Sequence, residues 1–202
     1  MVPDRRKGLL REDIQKSRMG KFIFQKTEIA DVFIIEPTVF GDERGYFMET
    51  YHAGEFADAG ISAKFIQDNQ SGSKKNVLRG LHFQRRYPQA KLVYVISGEV
   101  FDVAVDLRPN SATFGKWAGV TLSAANRRQF FIPRGFAHGF LVLSESVEFC
   151  YKCDEFYHPE DEGGIRWDDP TIGVEWPKSD GGYVLSKKDQ TLPLFADAKI
   201  DF

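Results

Sequence analysis

From Lys21 onward, short apolar runs alternate with polar turns at intervals of about ten residues, the pattern of antiparallel strands in a sandwich or barrel. "VFIIEPTVFGDERGYFMETY" carries two β-rich runs around a Gly-Asp-Glu-Arg-Gly turn, and "HAGEFADAG" reads as a helix closed by Gly60. "AKFIQDNQSGSKKNVLRGLHFQ" reads as a strand, a polar loop and a second strand. "KLVYVISGEVFDVAVDLR" reads as a hairpin turning at Ser97-Gly98-Glu99. Its second arm sets Phe101, Val103, Val105 and Leu107 on one face and Asp102 and Asp106 on the other, the alternation of a half-buried strand. "WAGVTLS", "RQFFIP", "GFLVLS" and "SVEFCYKC" continue the series. After Trp176-Pro177 the chain turns polar, and "KSDGGYVLSKKDQTLPLF" is expected to pack back on the body as a tail.

This pattern predicts an all-β jelly roll, a sandwich or small barrel with a few short helices and a mouth suited to a ligand. The length of 202 residues fits one domain, expected over residues 21–202, after an N-terminal extension over residues 1–20. That extension is basic but lacks the apolar core of a signal peptide. The 18 phenylalanines point to a core rich in aromatic side chains. A formal net charge of −2 gives no bulk-charge support for a nucleic acid or an anionic membrane as partner, and no stretch is long enough to span a bilayer. The only cysteines, Cys150 and Cys153, have an odd spacing that puts them on opposite faces of a strand. Two reduced thiols in a cytoplasmic protein are therefore expected.

Chemistry must be sought among few groups. Of four histidines, His52 and His158 sit in polar turns, whereas His82 and His138 lie beside strand residues, where an ionisable group needs a partner. Either of the latter could be structural or chemical on this reading alone. "IPRGFAHGF" contains Pro133-x-Gly135-x-x-His138, which resembles the second motif of cupins. Metal-binding cupins add ligands from an earlier His-x-His, but here "GLHFQ" offers His82 followed by Phe83 and Gln84. Two histidines fall short of the usual three protein ligands, so no metal is expected. Arg79 and Lys91 supply positive charge for a phosphate or an oxyanion. Tyr151 shares strand parity with Val147 and Phe149, and is either a core aromatic or an inward-facing proton donor.

The segments "DERGYF", "FIQDN", "VLRGLHFQ", "QAKLV", "GEVFDVAVDLR", "TFGKW", "IPRGFAHGFLVLSE", "YKCDEFYHPEDEGGIRWDDP" and "LSKKD" follow one another in the order seen in dTDP-4-dehydrorhamnose 3,5-epimerases. The resemblance runs over about residues 22 to 195 and implies a cupin-type jelly roll working as a homodimer, without metal or organic cofactor. It implies a dTDP-4-keto-6-deoxy sugar as substrate, inverted at C3 and C5 through an enolate. His82 matches the family's base, Asp189 the carboxylate that orients it, Lys91 the lysine near the C4 oxygen, and Tyr151 the proton donor on the opposite face.

Arg79 and His138 match substrate contacts, and Arg44, Glu49, Gln67, Asn69, Glu162 and Lys188 fall at positions of the nucleotide-sugar site. Exchange of N-terminal strands across the dimer is expected to bring some of these from the partner. Single-centre epimerisation, 3,4-ketoisomerisation and a non-catalytic nucleotide-sugar-binding cupin are the alternatives. One structural condition follows: Arg79 and His82 are three residues apart, so a regular strand aims them at opposite faces. If both reach one ligand, Gly80 must mark a bulge or bend.

Overall fold

A computed structural model describes residues 16–202. Of the extension expected over 1–20, residues 1–15 lie outside the described residues, and Lys16–Met19 form the first strand. In chain order the strands begin with β1 (Lys16–Met19), β2 (Phe22–Lys26), β3 (Phe33–Pro37), β4 (Phe40–Asp42) and β5 (Gly45–Phe47). After helix α1 (Ala53–Asp58) come β6 (Gln67–Lys74), β7 (Leu78–Gln84), β8 (Lys91–Ser97) and β9 (Glu99–Asp106). The series closes with β10 (Trp117–Ser123), β11 (Gln129–Ile132), β12 (Phe136–Val142), β13 (Ser146–Cys153) and β14 (Glu162–Gly164).

Two antiparallel sheets form the body, in the orders β1-β2-β3-β11-β8-β13-β6 and β10-β9-β12-β7-β14, while β4 and β5 form a separate hairpin. This is the expected all-β jelly roll of cupin type. Between the sheets, Val93, Val95, Phe130, Val147 and Phe149 from the first pack on Val100, Ala104, Leu122, Phe136 and Phe140 from the second. Aromatic rings do fill the interior, with Phe140 and Phe149 stacked at 4.2 Å. The outer face of the larger sheet is covered by α1 through Phe56, against Phe22 and Phe24. The outer face of the smaller sheet is covered by the tail, where Trp176, Tyr183, Leu185 and Phe195 meet Val103, Val105 and Leu141. The tail expected from the sequence is thus a third layer.

The helix matches its expected bounds for identifiable reasons. His52 Nδ1 accepts the Glu55 amide at 3.2 Å as an N-cap, and Gly60, at φ +94°, ends the turn by donating to the Ala57 carbonyl.

Three local readings differ from the structure. The Ser97-Gly98-Glu99 turn does not make a hairpin; it carries the chain from β8 in one sheet to β9 in the other. Gly98 is required there, because its φ is +83° and a Cβ would lie 2.1 Å from the Ser146 carbonyl oxygen. The polar stretch expected as a loop forms the eight-residue edge strand β6, paired with β13 from Gln67↔Cys153 to Lys74↔Ser146. Finally, β9 is buried on both faces, so Asp102 and Asp106 do not meet solvent. The sequence alternation is real, but the tail covers one face and the barrel interior takes the other.

Candidate active site

The chemistry is organised by an irregularity in β7. Across β12 and β7, His138 pairs with His82 and Phe140 with Arg79, so β7 spends one more residue than its partner over this interval. That is a β-bulge at Gly80 and Leu81, the irregularity expected there if Arg79 and His82 are to reach one ligand. Gly80 has φ +125°, and a Cβ there would sit 2.6 Å from the Gly139 Cα. The bulge resets the alternation of the strand. His82 lines the cavity, and the Arg79 guanidinium donates to Ser73 Oγ at 3.0 and 3.2 Å, on the strand that also carries Gln67 and Asn69.

The cavity, of about 200 Å³, is lined by Gln67, Asn69, His82, Lys91, Tyr151 and Glu162, among others. A larger concavity of about 480 Å³ lies elsewhere, around Lys64, Phe131 and Arg134, and contains no histidine or tyrosine. The smaller cavity therefore gathers the histidine, lysine and tyrosine expected at the site. Its groups come from both sheets: His82 and Glu162 from β7 and β14, Tyr151 and Lys91 from β13 and β8. A histidine and a tyrosine are thereby placed on walls that different sheets supply.

His82 Nε2 lies 2.5 Å from Asp189 Oδ1. Burial alone raises the Asp189 carboxyl, but the hydrogen bond and charge of His82, with Ser186 and Lys188, outweigh it and hold the group below its ordinary range. An ionised carboxylate only accepts, so Nε2 carries a hydrogen, and in the neutral imidazole the lone pair is then on Nδ1. Nδ1 in turn lies 4.0 Å from Glu162 Oε1. The other oxygen of Glu162 accepts the Tyr157 hydroxyl at 2.8 Å and pairs with the Lys188 ammonium. Burial raises the Glu162 carboxyl, but Lys188, Tyr157 and His82 more than offset this and keep it anionic. Burial and the bond to Glu162 push the Tyr157 phenol up to about 12.

Burial pushes the Lys91 ammonium below its ordinary value, against the opposing pull of Cys153, Glu162 and Asp102. Proton loss from Lys91 is thus easier than from a solvated lysine, which strengthens it as a donor to an oxyanion. Burial raises the Tyr151 phenol, helped by Cys153 and Glu162 and opposed by Arg79. Tyr151 is therefore held as a neutral hydroxyl, able to donate. The Cys153 thiol, beside Lys91 in the β8–β13 ladder, is pushed up to about 11 by burial and stays protonated. Both cysteines are free.

Of the residues expected at the site, His82, Lys91, Tyr151, Gln67, Asn69 and Glu162 share the cavity, while Asp189 and Lys188 join through His82 and Glu162. His138 stands behind it, buried, with Nε2 3.0 Å from both oxygens of Asp102 and its ring against Phe149. Arg44 and Glu49 lie outside this cluster: Arg44 pairs with Asp42 at the exposed tip of the β4–β5 hairpin, and Glu49 pairs with Lys21. Sequence reasoning missed Tyr157 and Asp102. Tyr157 stood inside "YKCDEFYHPED" without being singled out, and Asp102 was visible only as a polar position assigned to solvent. Among the described residues no three His, Cys, Asp or Glu side chains converge as a metal-ligand group.

Residues 26–197 match the family model described as dTDP-4-dehydrorhamnose 3,5-epimerase. A curated enzyme of that name from Methanothermobacter thermautotrophicus is 57% identical over 173 residues, spanning 85% of this chain and 94% of the relative. Its Escherichia coli counterpart is 57% identical over 169 residues, spanning 83% and 91%. Among solved structures, a dTDP-6-deoxy-D-glucose-3,5-epimerase from Legionella pneumophila, in complex with dTDP-4-keto-L-rhamnose, superposes with a TM-score of 0.85. It is 50% identical, with 87% of this chain and 94% of that one covered.

Proposed function

This chain belongs to the dTDP-4-dehydrorhamnose 3,5-epimerase family, and from that premise we propose that it inverts C3 and C5 of dTDP-4-dehydro-6-deoxy-D-glucose, giving dTDP-4-dehydro-L-rhamnose. The observation that carries the reading is the opposition of His82 and Tyr151 across one cavity. A C4 ketone acidifies the protons on its two neighbours, C3 and C5. His82 Nδ1 removes such a proton, and Asp189 holds the tautomer and steadies the imidazolium. The Lys91 ammonium meets the negative charge that grows on the C4 oxygen, an interaction strongest in the transition state. Tyr151 returns a proton from the other wall, so the carbon is protonated on the face opposite to the one it lost and its configuration inverts. The chemistry needs only these side chains, with no metal or organic cofactor.

Arg79, Gln67, Asn69, Glu162 and Lys188 are read as holding the nucleotide sugar, while His138, expected as a contact, backs the cavity wall through Asp102. Arg44 and Glu49 act from the partner of a homodimer with exchanged N-terminal strands. Support comes from the exposed apolar side chains of the hairpin that carries Arg44: Phe40, Tyr46 and Phe47 are 50%, 60% and 62% exposed. The two free thiols fit a reducing cytoplasm.

The test is to incubate the protein with the 4-keto sugar in deuterated water and follow both carbons by NMR. Exchange at C3 and C5 with formation of the L-rhamno product is expected. Exchange at one carbon only identifies a mono-epimerase, and failure to exchange at either sinks the proposed reaction.

A further inference from the structure

The proposed reaction leaves both proton carriers in the wrong state after each inversion. His82 holds the proton it removed, and Tyr151 has lost the one it gave. A second inversion on the same sugar requires both to be restored. Water can reprotonate the phenolate, but the imidazolium needs an outlet.

The geometry around Nδ1 supplies one. Asp189 occupies Nε2, so the proton arriving from carbon sits on Nδ1, the nitrogen that faces Glu162 Oε1 at 4.0 Å. Glu162 is fixed there by the sheet: β14 pairs with β7 as Glu162↔Gln84 and Gly164↔His82. Its two oxygens have different surroundings. Tyr157 and Lys188 engage Oε2, whereas Oε1 is the oxygen turned toward the imidazole. Lys188 is half exposed, so the carboxylate stands at the edge of solvent. A gap of 4.0 Å is too long for a hydrogen bond and closes with a small tilt once the ring is charged.

Resting on the reaction proposed above, we propose that Glu162 is the proton relay that empties His82 between the two inversions. The Nδ1–H bond breaks as an O–H bond forms on Oε1. That carboxylic acid then gives its proton to water, while the Tyr151 phenolate takes one from water. One proton leaves and one enters, so the site returns to its starting charge. Tyr157 and Lys188 hold the acceptor in place; they are positioning residues.

The experiment compares wild type with Glu162→Gln on the 4-keto sugar in deuterated water, over a series of imidazole concentrations. Turnover of Glu162→Gln is expected to fall at least tenfold, with accumulation of sugar exchanged at one carbon. Added imidazole restores turnover in proportion to its concentration, and wild type does not respond. Glu162→Asp keeps the charge but widens the gap, and shows a smaller imidazole response. Slowed turnover that imidazole does not restore, in either variant, overturns the relay and leaves the reaction standing. If Glu162→Gln fails to fold, the response of Glu162→Asp decides. A wild type that exchanges neither carbon overturns the reaction and the relay together.

Discussion

His82 and Asp189 are joined at 2.5 Å although 107 residues separate them, one on a strand of the smaller sheet and the other in the C-terminal tail. The tail therefore does more than cover Val103, Val105 and Leu141; it carries the carboxylate that holds the His82 imidazole. Asp189→Asn is expected to lower kcat by roughly 10²–10⁴-fold while leaving KM within a few-fold. Steady-state kinetics and circular dichroism check this. An unchanged kcat in a folded variant removes Asp189 from the proposed mechanism.

The bulge at Gly80 makes a second prediction. Alanine at this position meets the Gly139 backbone at 2.6 Å in a conformation that L side chains rarely adopt. Gly80→Ala should cost more than about 2 kcal/mol of stability and return β7 toward regular alternation. Denaturant unfolding should then show a lower midpoint, and activity should fall with it. Wild-type stability and activity would show that the bulge is not needed.

Acid sensitivity should trace in part to Asp106, whose side chain is fully buried against Arg108, Ser111 and Thr113. Burial raises this carboxyl, but those partners outweigh it and hold it at about 2, below the ordinary 3.8. A group depressed in the folded state adds stability above its unfolded pKa and loses it as pH falls through the folded one. The contribution, about 2 kcal/mol, should be complete above about pH 5 and decline toward pH 2. Asp106→Asn should lower stability at pH 7 and flatten its fall between pH 4 and 2 in urea titrations. An unaltered profile would place the acid sensitivity elsewhere.

The β4–β5 hairpin tests the assembly. Phe47→Asp puts a charge on a ring that is 62% exposed in one chain, so it should leave the isolated fold intact. If Arg44 reaches the site of a partner, as proposed, the variant is expected to be monomeric in light scattering and its KM to rise tenfold or more. A variant that remains dimeric with unchanged KM contradicts the strand exchange.

What the sequence revealed depended on how local each cause is. Alternation, turn residues and the Gly60 stop identified the jelly-roll strands and α1, because they act within a few residues. The spacing of Arg79, Gly80 and His82 pointed to the bulge on the condition that both side chains serve one ligand, since a regular strand aims them at opposite faces. The Ser97-Gly98-Glu99 turn was misread because the same glycine chemistry serves a hairpin and a step between sheets. β6 was hidden because its polar side chains suit a loop; its strand character comes from β13 and from a cavity that needs Gln67 and Asn69. Asp102 was assigned to solvent because nothing near it in the chain announces His138 opposite. The Asp189 pairing emerged only through the family motif, as no local pattern links it to His82.

The central claim is that base and acid act from opposite walls, and Tyr151→Phe separates their roles. In deuterated water this variant should still exchange the C3 and C5 hydrogens through His82 while inverting neither carbon, and His82→Ala should do neither while still binding dTDP. Inversion by Tyr151→Phe at the wild-type rate, or exchange retained by His82→Ala, would contradict the account.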